Sequence, residues 1–261
     1  PGTHPFFKFG HNAIWIQPPG ERGTVYNFGT FAFDTPNLIP KFLQGRFQYW
    51  LSRGPIDDTL WSYESSDRTI IVQELDLTPA EAITLAERLE VNARPENRAY
   101  LYDYFWDNCS TRVRDAIDGA LGGRLRELTV GKPGAQTFRA HGLRLVHDVW
   151  WEYLGIDFGL GNPVDRPLDV WLEGFIPEMF RRTLRTATVV RDGIERPLVR
   201  NERVLYTSTR PDPPETQPMR WPYFLIVGVA LGGAIAGLGR LAARRGLFRV
   251  ALGGVLLVIG L

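Results

Sequence analysis

Cys109 is the only cysteine in the 261 residues. It stands in Trp106-Asp107-Asn108-Cys109-Ser110-Thr111, where a helix is expected to begin. The first turn of a helix offers unpaired backbone N–H groups and a partial positive charge, and both favour thiolate over thiol. A thiol placed there can act as a nucleophile, whereas a lone cysteine elsewhere is often a small buried hydrophobe. Nucleophilic work also needs an imidazole to accept the thiol proton. His11, in Phe9-Gly10-His11-Asn12-Ala13, is the candidate base. The group that orients His11 would be Asn27, Asp34, Glu74 or Asn12. Asp107 and Asn108 are placed to cap the nucleophile helix.

Other chemistry is thinly represented. His141 and His147 lie about one and a half helical turns apart and make no convincing metal pair, and there is no CxxC pattern, so neither a metal nor a cofactor is expected. Arg112 and Arg139 each offer a planar donor fork suited to a lipid phosphate. Tyr100, Tyr102, Tyr104, Phe105 and Trp106 would either line an acyl groove or fill a core.

Strands and helices must bring these groups together. His11–Gln17 and Val25–Asp34 are rich in β-branched and aromatic residues and are parted by Pro18-Pro19-Gly20 and Gly23, which predicts a strand pair with His11 on its first strand. Thr69–Leu77 reads as a third strand. The connection holding Gln44–Leu51, with Phe42, Phe47, Tyr49 and Trp50, reads as a lid or lipid-facing insertion. Thr78-Pro79-Ala80-Glu81 is a capping box with proline at the first helical position, and Ala82, Leu85, Ala86, Leu89 and Ala93 carry that helix to about Arg94. Val113, Ile117 and Leu121 share one face of the helix after Asn108, which Gly122-Gly123 closes. Val146–Gly155 and Leu168–Leu184 are predicted as helices, the second broken near Pro177. Asp192-Gly193 marks a hairpin, and Asp165 and Pro167 belong to a loop.

The C-terminal end is of another kind. Trp221–Gly239 carries no charge over a length that spans a bilayer, with aromatic residues at one end and Arg240, Arg244, Arg245 and Arg249 at the other. The positive-inside rule puts those arginines in the cytoplasm and the preceding residues outside. Val250–Leu261 is a second, truncated apolar run, and a start at Pro1 leaves room for an upstream segment. The domains expected are a soluble part at 1–210, a proline-rich linker at 211–219 and a membrane region at 220–261. A net charge of +1 with 23% charged residues gives no reason to expect nucleic acid as a partner.

Three stretches carry a resemblance: Phe9–Ala13, Tyr26-Asn27-Phe28-Gly29-Thr30-Phe31, and Tyr102 to Arg112 around Asp107-Asn108-Cys109. Together with Leu160–Pro167, Phe175-Ile176-Pro177 and the Asp192-Gly193 hairpin, they resemble the Lnb-type N-terminal periplasmic domain of bacterial membrane-tethered proteins. The resemblance implies an α+β, circularly permuted papain-like domain, related to NlpC-type peptidases, with the histidine before the cysteine. It implies Cys109 as nucleophile and His11 as base, and favours Asn27 as the third group. It implies a lipoprotein N-acyltransferase of the bacterial inner membrane, with its catalytic domain in the periplasm. Such an enzyme takes a fatty acyl chain from a phospholipid and passes it to the α-amine of a diacylglyceryl-cysteine. Asn108, Arg112 and Arg139 are the substrate-binding candidates. The residues alone also fit a periplasmic cysteine amidase or peptidase, or a membrane-anchored binding module in which Cys109 is merely buried.

Overall fold

A computed structural model describes residues 2, 7–32, 40–41 and 44–243. Asp34, Phe42, Arg244, Arg245, Arg249 and the apolar run 250–261 lie outside the described residues. The chain divides into two units, Pro1–Gln217 and Pro218–Leu261.

The first unit is mixed α/β. It opens with β1 (Ile14–Ile16), β2 (Thr24–Thr30) and β3 (Gln48–Pro55), then α1 (Ile56–Ser65), β4 (Ile70–Leu75), α2 (Pro79–Asn92) and β5 (Ala99–Leu101). Next come α3 (Cys109–Ala120), α4 (Arg124–Thr129), β6 (Pro133–Thr137), α5 (Phe138–Leu145), α6 (Trp150–Gly159), β7 (Pro167–Asp169), α7 (Val170–Glu173) and α8 (Pro177–Thr186). The unit ends with β8 (Thr188–Arg191), β9 (Ile194–Pro197) and β10 (Val199–Tyr206).

The main sheet has the order β1-β2-β3-β5 and is antiparallel throughout. One face of it packs on α3 through Tyr26, Phe28, Tyr49, Val113 and Ile117, all buried in one core cluster that also takes Leu85 and Leu89 from α2. Burial of this kind contributes roughly 1.5–3 kcal/mol per large side chain, so this face fixes α3 on the sheet. Helix α2 begins at the predicted place, with the Thr78 and Glu81 side chains each bonding the other's backbone N–H. The predicted β1–β2 pair is also present.

Three sequence expectations change. Gln48–Pro55 is an internal strand of the main sheet, with Phe47, Tyr49 and Leu51 buried, so it is a wall of the core instead of a lid. The strand expected at Thr69–Leu77 is shorter and pairs with β10 in a separate two-stranded sheet. The helix expected over Val146–Gly155 instead forms as α6, displaced towards the C-terminus. The reason is shared: strand partners and helix phase are chosen by contacts with residues distant in sequence.

The proline-rich stretch is bonded to the first unit at its far end. Pro214 O and Glu215 O accept from Arg144 and Gln136, and Gln217 donates to the Tyr153 hydroxyl. In the second unit a single helix, α9 (Trp221–Ala243), is described. Its segment Trp221–Arg240 is long and apolar enough to cross a membrane.

Candidate active site

Cys109 is the first residue of α3, and the helix start around it is built from side chains. Asn108 is the N-cap: its Oδ1 accepts from the N–H groups of Ser110 (2.8 Å) and Thr111 (2.9 Å), while Thr111 Oγ1 accepts from the Asn108 N–H (2.8 Å). Asn108 Nδ2 donates to Tyr104 O (2.7 Å) and Phe175 O (3.0 Å), so this residue, expected at the substrate, is buried and fully committed to positioning the turn. Ser110 Oγ donates to Gly174 O at 2.6 Å and accepts from Asn12 Nδ2 at 3.0 Å. The segment after α7 and the loop before β1 thus grip the cysteine's turn from two sides.

His11 lies in that loop, three residues ahead of β1, and not on the strand as expected. Its Nε2 stands 3.2 Å from Asn27 Oδ1 on β2. A carbonyl oxygen accepts only, so Nε2 carries the hydrogen and Nδ1 is left as the basic nitrogen. Of the other orienting candidates, Asn12 is turned to Ser110, and Glu74 is an exposed residue of β4 in the other sheet.

The meeting point of cysteine and histidine is Gly29. The β2–β3 register is irregular between Asn27 and Thr30, and Gly29 has φ +95 there. A Cβ on Gly29 would stand 3.4 Å from Cys109 Cβ, 3.8 Å from His11 Cε1 and 3.9 Å from the Tyr100 hydroxyl. All three side chains therefore converge on one spot, which a bulge carrying glycine leaves open. The Tyr100 hydroxyl is buried and has no hydrogen-bond partner among the described residues.

Electrostatics differ from the sequence expectation at the sulfur. Burial pushes the Cys109 thiol up, against the backbone N–H groups of Asn12, Ser110 and Cys109 and the charge of Arg68. Burial, helped by Arg68, takes His11 down to about 4, the Asn27 contact opposing. Both shifts favour the neutral forms, thiol and imidazole, desolvation outweighing the helix terminus at the sulfur.

The two arginines expected at lipid phosphate already have carboxylate partners. Arg112 holds Asp107 through two bonds of 2.6 and 2.7 Å and lies 3.8 Å over the Tyr100 ring, bracing the turn before Cys109. Arg139 holds Asp165 and donates to the carbonyls of Asp157 and Leu160. Sequence reasoning passed over Arg68, which follows α1, is buried and lies over the Tyr63 ring, itself 6.4 Å from the His11 ring. An arginine between Asp67 and Thr69 gives no local signal of that. Among the described residues no group of three or more His, Cys, Asp or Glu could hold a metal ion.

Against known proteins, the family described as the Lnb N-terminal periplasmic domain matches residues 1–142. No curated protein and no solved structure matches the chain. A periplasmic domain family together with one helix able to cross a membrane is consistent with a membrane-anchored periplasmic domain. Matched over more than half its length, with Cys109, His11 and Asn27 inside the matched span, the chain belongs to the Lnb N-terminal periplasmic domain family.

Proposed function

We propose that the first unit is a circularly permuted papain-like acyltransferase that moves a fatty acyl chain from a phospholipid to the α-amine of a lipoprotein's diacylglyceryl-cysteine. It would work in the periplasm, anchored in the bacterial inner membrane by α9. The convergence of Cys109 and His11 on Gly29, with Asn27 holding Nε2, carries this reading. The family match and the order His11, Asn27, Cys109 along the chain support it.

In the first half-reaction His11 Nδ1 takes the thiol proton as sulfur attacks the ester carbonyl carbon. The carbonyl oxygen gains the negative charge, for which the Cys109 backbone N–H and the unpartnered Tyr100 hydroxyl are the candidate donors. Collapse breaks the carbon–oxygen bond, the imidazolium protonates the departing glycerol oxygen, and an acyl-thioester with a lysophospholipid results. In the second half-reaction the amine attacks the thioester, gives a proton to His11 and leaves an amide. His11 then returns that proton to the sulfur. The phenols of Tyr49, Tyr100 and Tyr102, held well above their usual range chiefly by burial, mark surroundings poor in water, which favours transfer over hydrolysis. Asn108 and Arg112 act at one remove, by fixing the turn that aims the sulfur.

Intact-mass spectrometry after incubation with phospholipid vesicles tests this. The result expected is a hydroxylamine-labile fatty acyl adduct mapped to Cys109 and absent from His11→Ala. A folded protein whose Cys109 reacts with iodoacetamide yet takes no acyl group from lipid would turn the assignment towards an amidase or peptidase.

A further inference from the structure

Three arginines are buried among the described residues: Arg68 at 8% exposure, Arg114 at 7% and Arg144 at 2%. Burying a guanidinium is costly unless its donors find acceptors and its charge a counterion. Arg114 donates to Trp171 O and pairs with Asp115. Arg144 pairs with Glu178 and bonds His141 and Pro214 O. Arg68 differs from both. Its Nε is buried without an acceptor, and no carboxylate among the described residues forms an ion pair with it.

What surrounds Arg68 is aromatic. Its guanidinium lies 4.1 Å over the Tyr63 ring and 4.8 Å over the Phe7 ring, and the Tyr63 ring is 6.4 Å from the His11 ring. Faces of aromatic rings hold a cation in place without neutralising it. The neighbouring Asp67 is not available as counterion, since its carboxylate accepts from the Tyr206 hydroxyl and from the N–H and hydroxyl of Thr209. Those bonds also tie down the backbone from which Arg68 projects.

We infer that Arg68 is an anion-binding group of the active site, and that its ligand is the phosphodiester of the donor phospholipid, held while the ester beside it meets Cys109. The ligand assignment rests on the reading of the site as a phospholipid-dependent acyltransferase. A phosphodiester remains charged throughout the working pH range, and its paired oxygens match the planar fork of a guanidinium. In a phospholipid it is joined to the acyl esters through the glycerol carbons, so gripping it sets where the carbonyl can reach. An uncharged ester would leave the buried cation without a partner.

The test uses the whole chain and two readouts. Protection of Cys109 from iodoacetamide is measured with dodecylphosphocholine, with the uncharged dodecyl maltoside, and with inorganic phosphate. Protection by the phosphodiester amphiphile at concentrations about 10- to 100-fold lower than the maltoside is the result expected, from the usual strength of a charge-assisted contact. Equal protection by the two amphiphiles overturns the proposal, and this comparison needs no variant. Inorganic phosphate protecting as well as the amphiphile overturns the lipid assignment in favour of a free anion.

The second readout is thioester formation in Arg68→Gln, from phosphatidylethanolamine vesicles and from p-nitrophenyl butyrate, which has no phosphate. A loss about 10- to 100-fold greater with the lipid than with p-nitrophenyl butyrate supports the assignment. An equal loss with both esters makes Arg68 a support of the catalytic pair and overturns it. A wild-type chain acylated by p-nitrophenyl butyrate and never by phospholipid is the separate outcome that removes the underlying acyltransferase reading.

Discussion

Two histidine–arginine clusters in the first unit, one around the fully buried His141 and one around the half-buried His11, use the same residue types differently. Around His141 every bond is completed: Nε2 donates to Glu173 at 2.8 Å, Nδ1 accepts from Arg144, and Arg144 pairs with Glu178. Glu173 also accepts from the N–H groups of Ala135 and Gln136. Burial alone would push this carboxyl up, yet the bonds from His141 and the two N–H groups hold it below its usual range. Around His11 capacity is left over. Its ring has one partner, Asn27, while the Tyr100 hydroxyl and the Nε of Arg68 have none among the described residues. Saturated networks hold folds together, whereas buried donors and acceptors left unused around one histidine point to a ligand or a reaction.

The largest test of that contrast is to remove one histidine's function and see whether the fold survives. His11→Ala should slow acyl-adduct formation by about 10²–10⁴-fold and leave the thermal midpoint close to that of the wild type. Glu173→Ala should do the reverse. Uncoupling the buried His141 cluster should cost about 3–5 kcal/mol of stability by denaturant unfolding, with the adduct rate per folded molecule unchanged. If Glu173→Ala instead slowed the chemistry in a stable protein, the division between the clusters would be broken.

Gly29→Ala sharpens the contrast at smaller scale. Its left-handed φ should cost about 1–2 kcal/mol, and the added methyl should slow iodoacetamide labelling of Cys109 by crowding the thiol. A separate effect is expected in pH dependence. His11 is lowered to about 4 in the folded state, beneath its ordinary unfolded value of roughly 6.5. Its neutral form is therefore the one folding prefers: that contribution is fully present above about pH 6.5 and fades as pH falls towards 4, by at most about 1.4 kcal/mol per pH unit. Because His11→Gln lacks this group, its stability should not follow the wild type's fall, and the two sets of unfolding curves should separate over that window. Parallel curves would place the imidazole in water.

What could be read from sequence was local. The Thr78–Glu81 box and the Asn108–Thr111 cap each declare a helix start within four residues, so α2 and α3, and with α3 the place of Cys109, were legible. The pairing of His11 with Asn27 was legible only through the family resemblance, because strand register is decided across the sheet. The aromatic residues of Gln44–Leu51 suggest a lipid-facing segment, whereas Tyr49 and Leu51 are buried in a strand that lies between β2 and β5. Arg68 could not be found this way at all, since an unpaired buried cation is defined by what is missing around it.

The bond from Asn108 to the Phe175 carbonyl reaches 67 residues along the chain, and that from Ser110 to the Gly174 carbonyl reaches 64. A nascent chain that has just exposed Cys109 therefore has the turn's local bonds and lacks these two. At ordinary synthesis rates the remaining anchors follow on the order of several seconds later. Until then the sulfur has no fixed aim. A chain cut after residue 142, where the family match ends, would stay at that stage permanently.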